Sequence, residues 1–128
     1  MIMTEKEALT IFIDLQKAFE RKDIDSVLKY YHPEITYIGP AFQAPLSGLN
    51  SLQKALIEHF KSPRRMRVEI RNLRVRNLSS GVHIVSCLME GTQSIYLSEQ
   101  YFKINLSRVF IEVDGQHLII HEHISFAK

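Results

Sequence analysis

Residues 66–76 read MRVEIRNLRVR, and this stretch decides the fold class. Apolar and charged residues alternate along it, which is the period of two that a half-buried β-strand shows. The alternation holds from Met66 to Ile70 and then resumes one residue out of phase at Leu73. One extra residue near Asn72 would return the later apolar side chains to the same face, so the sequence predicts a β-bulge at that point.

The residues before this stretch follow the helical period instead. Apolar side chains recur three and four residues apart in residues 8–19 and in residues 52–60, so each segment is predicted to be an amphipathic helix. A short helix is predicted between them after Asp23, because an aspartate side chain can cap the start of a helix. Three helices are therefore expected before the first long strand.

The residues after this stretch keep the strand pattern. Residues 82–93, 101–113 and 118–126 are rich in β-branched and aromatic side chains. Asp114 and Gly115 separate the last two segments, and an Asp-Gly pair between apolar runs indicates a tight β-hairpin. Helices followed by antiparallel strands are typical of an α+β domain, and 128 residues suit one domain with one core.

Composition and charge exclude several classes of protein. The net charge is only +2, so the six arginines of residues 64–76 fit the solvated face of a strand better than a phosphate-binding stripe. No apolar run approaches the ~18 residues of a membrane span, and the N-terminal residues are acidic where a signal peptide would be basic. Cys87 is the single cysteine, so no internal disulfide forms. We expect a cytoplasmic protein without a nucleic-acid or membrane partner.

Three motifs together point to a known fold. Residues 22–40 read KDIDSVLKYYHPEITYIGP, Gly48 precedes the last predicted helix, and residues 114–125 read DGQHLIIHEHIS. They resemble the helix-to-strand join, the third-helix start and the closing strand of the SnoaL-like branch of the nuclear transport factor 2-like superfamily. The resemblance implies a cone-shaped fold over residues 1–128, in which three N-terminal helices pack on a curved, mostly antiparallel sheet around a pocket.

The resemblance does not bring a catalytic apparatus with it. Lys22 stands where the branch often has glycine, and His117 stands where it often has tryptophan. In the related ketosteroid isomerase, the frame that residues 39–48 resemble carries a catalytic aspartate, and Gly39 takes its place here. Asp14 stands where that enzyme has its oxyanion tyrosine. The function must therefore be argued from the residues of the site.

His121 and His123 are the first candidates for pocket residues. Side chains two residues apart share one face of a strand, which would place both rings beside Ile119 on the side that meets the helices. They could contact a ligand or move a proton, hold a metal, or bond buried polar groups. Catalytic zinc needs three protein ligands, and only folding could bring Asp14 or His83 near. We therefore expect no metal and no cofactor.

Two further polar residues are candidates for the same pocket. Asp14 interrupts the apolar run TIFIDL, so it would orient a histidine if it faced the pocket and would lie in solvent otherwise. Tyr37 lies in ITYI, residues 35–38, a short first strand predicted from its β-branched and aromatic residues. It could present its hydroxyl to a ligand, because this strand forms one wall of the pocket in the fold that the chain resembles. The predicted ligand pocket thus contains His121, His123, Tyr37 and Asp14, and the catalytic residues stay open.

Both faces of the last strand carry apolar side chains. Ile120, Ile124 and Phe126 lie opposite the histidines if the alternation is strict, whereas a sheet face in water should be polar. We therefore expect a second copy of the chain to cover this face in a homodimer, with Ile124 in the contact.

The sequence favours a protein that binds an unidentified small molecule in a partly apolar pocket. If the pocket catalyses a reaction, acid–base chemistry such as isomerisation, cyclisation or dehydration suits it best. The alternative is a non-catalytic module for dimerisation, assembly or ligand sensing, similar to the association domains of some kinases. An open cavity with converging polar groups would favour the first function, and a cavity closed by large side chains would favour the second.

Overall fold

The computed structural model describes residues 2–128, in which three helices pack on one six-stranded sheet. The helices are α1 (Glu5–Arg21), α2 (Ile24–Leu28) and α3 (Leu49–His59). The strands are β1 (Tyr31–Ile38), β2 (Leu46–Ser47), β3 (Arg65–Ser79), β4 (Val82–Ile95), β5 (Ser98–Val113) and β6 (Gln116–Phe126). None of the helices within residues 2–128 is long and apolar enough to cross a membrane.

The sheet is open, curved and mostly antiparallel. Its strand order is β2-β1-β6-β5-β4-β3, so the last strand inserts between the first strand and the long β3–β5 meander. β1 and β6 run parallel, which is possible because the rest of the chain connects them, whereas the other neighbours are antiparallel. The predicted α+β class, with three helices and a mostly antiparallel sheet, is confirmed.

The long helix α1 is closed at both ends by backbone geometry that its sequence supports. The Thr4 hydroxyl accepts a bond from the Glu7 backbone N–H, and the Glu7 carboxylate accepts one from the Thr4 backbone N–H, which is a capping box. Lys22 ends the helix in a left-handed conformation, with a φ of 57°. In between, Phe12 is fully buried and meets Phe110 of β5 at 6.2 Å between ring centroids.

The predicted bulge near Asn72 is confirmed. The register between β3 and β4 shifts between Arg71 and Arg74, and Asn72 has a φ of 55°. Asparagine enters this left-handed region more readily than most residues do. The extra residue allows Ile70 and Leu73 to pack against the same core although they are three positions apart.

A second bulge lies in β6, where the alternation of the sequence did not indicate one. Phe110 pairs with Ile119, but the next residue back along β5, Val109, pairs with His121. Ile120 is therefore the extra residue on β6. Because side chains alternate with a period of two, one extra residue moves every later side chain to the opposite face.

This bulge overturns the facing that strict alternation predicts for the end of the chain. Glu122 is fully buried beside the core that contains Ile119, whereas His123 is exposed. The expectation that His121 and His123 share the inner face with Ile119 is wrong by one residue. The expectation that Ile124 lies on the outer face is wrong for the same reason, since Ile124 packs against the core.

Two neighbouring histidines, His83 of β4 and His117 of β6, lie near the start of α1. His83 is fully buried, and neither of its ring nitrogens has a hydrogen-bond partner. The His117 ring lies 5.2 Å away between centroids, and its Nε2 is 4.0 Å from a carboxylate oxygen of Glu7. Burial, and then the charge of the neighbouring His117, lower the pKa of His83 below its ordinary value of 6.5. The fold therefore accommodates His83 in its neutral form.

Acidification should weaken the fold through His83. Because its folded-state pKa lies below the unfolded value of 6.5, the unfolded chain binds more protons, and stability that is present above pH 6.5 is lost as the pH falls. We expect the free energy of unfolding in urea to fall from about pH 7.5 to about pH 5.5, and to fall less in His83→Leu. His123→Asn, which removes an exposed histidine, should behave like the wild type; equal losses in wild type and His83→Leu would contradict the prediction.

Candidate functional site

A cavity of about 520 Å³ lies between the helices and the sheet. α1 and α3 form one wall, the segment after β1 forms a second, and β3 to β6 form the floor. Much of the surface is apolar and includes Phe19, Phe42, Met66, Met89, Phe102 and Leu106. This volume is in the range of pockets that hold small organic molecules.

The floor of the cavity contains a buried ion pair. Arg108 of β5 and Glu122 of β6 are direct cross-strand neighbours, with Arg108 Nε 2.6 Å from Glu122 Oε1. The two residues are only 3% and 0% exposed. The Tyr31 hydroxyl donates a 2.7 Å bond to the same carboxylate oxygen, and the Arg108 guanidinium lies 4.4 Å from the centroid of the Phe12 ring. Each buried charge is thus compensated by the other and by further contacts.

The register of three strands places Tyr37 beside this pair. Tyr37 of β1 is the parallel neighbour of Glu122. Burial, and then the Glu122 charge, raise the pKa of Tyr31 and of Tyr37 well above the ordinary value of 10, so both phenols are neutral at physiological pH. Burial alone would lower the pKa of Arg108, but Glu122 beside it raises that pKa above its ordinary value, and the guanidinium stays charged.

Two atoms of the ion pair have no partner. Arg108 Nη1 and Glu122 Oε2 are buried and have no partner in good hydrogen-bond geometry, although the Tyr37 hydroxyl lies near the Glu122 carboxylate. A buried donor or acceptor without a partner costs about 1–3 kcal/mol. Both residues line the cavity, so a ligand group with one acceptor and one donor could satisfy the two atoms together.

An aromatic stack closes the side of the cavity next to β1. Phe42 lies 5.6 Å from Tyr37 and 6.2 Å from His59, measured between ring centroids. Burial lowers the pKa of His59, and the nearby cations Arg64 and Lys22 lower it further. His59 is therefore neutral at physiological pH and contributes a ring rather than a charge.

The four predicted pocket residues do not come together. Tyr37 lines the cavity, and its contact with a ligand stays a prediction. His121 and His123 do not line it, because the bulge at Ile120 turns them to the other face of β6. Asp14 is exposed on α1 and lies outside this cavity, beside a shallow pocket of about 160 Å³. The placement predicted for the two histidines is therefore wrong. Asp14 lies in solvent, which was the alternative to a place in the pocket.

Arg108 and Glu122 were not among the predicted pocket residues, although the sequence pattern indicates that Arg108 is buried. Arg108 stands between Leu106 and Phe110 on one face of β5, and a cation on an otherwise apolar strand face requires a buried partner. Glu122 could not be recognised as that partner, because the bulge that turns it inward leaves no mark in the alternation. The same bulge brings Ile124 to the cavity instead of a dimer contact.

Within residues 2–128, no group of three or more histidine, cysteine, aspartate or glutamate side chains is arranged to hold a metal ion. Burial raises the pKa of the Cys87 thiol to about 11, so Cys87 stays protonated at neutral pH and is a poor nucleophile. The polar side chains that line the cavity are the ion pair, Tyr37, Gln16, Gln93, His59 and Arg64.

The sequence model of the SnoaL-like domain family matches residues 9–128. The chain belongs to this family. No curated protein sequence matches this SnoaL-like chain. Among solved structures, a ketosteroid isomerase-like protein from Erwinia carotovora atroseptica SCRI1043 is similar to it, with a TM-score of 0.77 and 20% identity over 91% of this chain and 90% of that one.

Two further structures are similar to the SnoaL-like chain over almost its whole length. A nuclear transport factor 2-like protein of unknown function from Pseudomonas putida KT2440 has a TM-score of 0.80 at 20% identity, covering 98% of this chain and 89% of that one. The CamKII hub homology domain of Chlamydomonas reinhardtii has a TM-score of 0.81 at 19% identity, covering 98% and 100%. At these identities the likeness shows the fold alone, and the expected nuclear transport factor 2-like fold is confirmed.

Removing one partner of the buried ion pair should be costly. Arg108→Met leaves the Glu122 carboxylate buried without its cation, so we expect urea denaturation to show a loss of about 3–5 kcal/mol in the free energy of unfolding. Adding Glu122→Gln to that variant should restore part of the loss, because no buried charge then remains. Arg71→Met, which breaks surface pairs with Glu69 and Glu90, is the control and should cost less than about 1 kcal/mol. Similar losses in Arg108→Met and Arg71→Met would contradict this account.

Proposed function

We propose that this SnoaL-like protein binds a small, partly apolar molecule in the cavity between its helices and its sheet. One observation carries the proposal: the cavity of about 520 Å³ has apolar walls and a floor where a buried ion pair keeps two polar atoms without partners. Ligand pockets commonly combine a mostly apolar lining with a few polar groups that fix orientation. The cytoplasmic location expected from the composition remains part of this proposal.

The polar end of the ligand is expected at the ion pair. Arg108 Nη1 offers a donor and Glu122 Oε2 offers an acceptor, so a hydroxyl or an amide could satisfy both, and a carbonyl could satisfy the donor. Hydrogen bonds from the ligand to these two atoms would favour binding, since each buried atom without a partner costs about 1–3 kcal/mol. The rest of the molecule would pack on the aromatic and methionine side chains of the wall.

If the cavity catalyses a reaction, acid–base chemistry is the class that it supports. Glu122 is the one carboxylate that lines the cavity among the described residues, and its Oε2 could take a proton from a ligand carbon or hydroxyl. The neutral Tyr37 hydroxyl and the Arg108 guanidinium beside it could stabilise the negative oxygen that forms. Isomerisation, aldol-type cyclisation and dehydration next to a carbonyl can all use a base paired with an oxyanion donor.

Binding can be tested with N-phenyl-1-naphthylamine, a neutral apolar probe whose fluorescence rises in apolar surroundings. We expect saturable binding to the wild type and binding at least about tenfold weaker in Ile124→Trp, where the larger side chain fills the cavity; about 1.4 kcal/mol is enough for that change. His123→Trp, one residue away on the other face, is the matched control and should bind like the wild type. An absence of saturable binding, or equal weakening by both variants, would refute the proposal.

Assembly is a second candidate function, and the outer face of the sheet favours it. The apolar side chains there are partly exposed and do not pack against the core; they include Ile84, Leu88, Val109, Ile111 and Ile120. Apolar contiguous surface of this kind is common at protein–protein contacts. The similar Chlamydomonas structure is named as a hub domain, which is consistent with a homodimer or larger assembly here.

The contact should involve Val109 rather than Ile124. Val109→Glu places a charge in the middle of the apolar outer face, so we expect analytical ultracentrifugation to show a dimer for the wild type and a monomer for this variant. Ile13→Glu, which changes a partly exposed apolar residue of α1, is the control and should remain dimeric. A monomeric wild type would rule out the homodimer. A dimeric Val109→Glu variant would show that the contact does not include Val109.

A further inference from the structure

The helix side of the cavity carries a second set of polar groups without partners, apart from the ion pair. Gln16 of α1 and Arg64, which precedes β3, both line the cavity. Gln16 Nε2 and Arg64 Nε are buried and make no hydrogen bond. Both unpartnered atoms are donors, whereas the ion pair offers one donor and one acceptor.

Gln16 and Arg64 belong to segments that pack on each other. Phe19, three residues after Gln16, meets Phe60 at 6.0 Å between ring centroids. The Lys22 ammonium donates a hydrogen bond to the backbone carbonyl of Ser62, which ties the end of α1 to the segment that leads to Arg64. The two unpartnered donors therefore lie on neighbouring parts of one wall.

The charges of the cavity do not balance. Arg64 and Arg108 are its two cations, and Glu122 is its one carboxylate among the described lining residues. Glu122 pairs with Arg108, whereas no acidic group of the described residues lies within 4 Å of Arg64. His59 adds no charge, because burial and the nearby Arg64 lower its pKa. One positive charge is left, which suits a ligand with one negative charge better than a dianion such as a phosphate monoester.

The two polar sites lie at different places in the cavity. Arg108 pairs with Val85 of β4, and Val85 pairs in turn with Val75 of β3. Arg64 precedes Arg65, the first residue of β3, so its backbone lies towards the opposite end of that long strand, while its side chain lines the same cavity as Arg108. The cavity surface between them is apolar and includes Met66, Val68, Met89 and Leu106. A ligand that uses both sites needs polar groups at its two ends and an apolar body between them.

We infer, on the basis of the proposed function, that the ligand is a monocarboxylate with an apolar body and a hydroxyl or carbonyl group at its far end. Its carboxylate accepts hydrogen bonds from Arg64 and Gln16, and its far group bonds Arg108 and Glu122. A carboxylate matches a guanidinium donor in geometry, and its single negative charge balances the one cation that is left. The ligand class thus follows from which donors and acceptors of the wall lack partners.

Matched pairs of an acid and its primary amide test this inference, because the two members differ in charge and hardly in shape. The pairs are 4-hydroxycinnamate with 4-hydroxycinnamide and 10-hydroxydecanoate with 10-hydroxydecanamide, which cover a rigid and a longer flexible body. Each compound competes with N-phenyl-1-naphthylamine at neutral pH. In at least one pair we expect the acid to displace the probe at about a tenfold lower concentration than the amide, as a charged hydrogen bond implies.

Variants of two neighbouring arginines test which residue binds the negative charge of the acid. Arg64→Met should remove the preference for the acid, so that the acid and its amide displace the probe at concentrations within about twofold of each other. Arg65→Met, one residue along the chain at an exposed position that does not line the cavity, should keep the preference. Gln16→Leu should weaken binding of the acid and of the amide alike and keep the preference for the acid, because it removes a neutral donor and no charge.

The outcomes separate this inference from the function on which it rests. If the wild type binds the naphthylamine probe but prefers neither acid over its amide, the monocarboxylate inference is wrong and the binding function stands. The monocarboxylate inference is equally wrong if the preference survives in Arg64→Met or is lost in Arg65→Met. If the wild type does not bind the naphthylamine probe, the binding function and the inference fail together.

Discussion

The rest of the structure depends on the ion pair between Arg108 and Glu122. Burying two charges is expensive, and the pair is tolerated only because the guanidinium, the carboxylate, the Tyr31 hydroxyl and the Phe12 ring meet at short distances. These groups come from four different elements, namely α1, β1, β5 and β6. Any slip in the register between β5 and β6 would separate the charges, so the pair selects one alignment of the sheet and one position of the long helix.

The same interaction links stability to binding. The pair leaves Arg108 Nη1 and Glu122 Oε2 without partners, so the fold carries an unfavourable term at the floor of its own cavity. A molecule that satisfies these atoms would bind the folded chain and not the unfolded one, which stabilises the fold by mass action. The arrangement also separates two environments: a nearly neutral polar floor, and a helix-side wall with the unbalanced cation Arg64.

The two bulges show how differently the sequence reveals such features. At Asn72 the apolar pattern itself slips, because residues on both sides of the bulge pack on the core, and asparagine suits the left-handed backbone. At Ile120 apolar residues precede the bulge on both faces and the polar residues 121–123 follow it on both faces, so a slip of one residue leaves the sequence pattern unchanged. The register there is decided by what the side chains meet: Glu122 finds Arg108 only on the inner face.

The sequence by itself determined the element types, their order and the family, because helical and strand periods, the Asp-Gly hairpin and the closing motif are local properties. It also placed Tyr37 on the wall of the cavity. Only the tertiary structure decided that Glu122 rather than its two histidine neighbours faces inward, and that Arg64 and Gln16 approach the same cavity. Those facts depend on pairing between residues far apart in the chain, and a buried charge reveals its partner only after the strands are aligned.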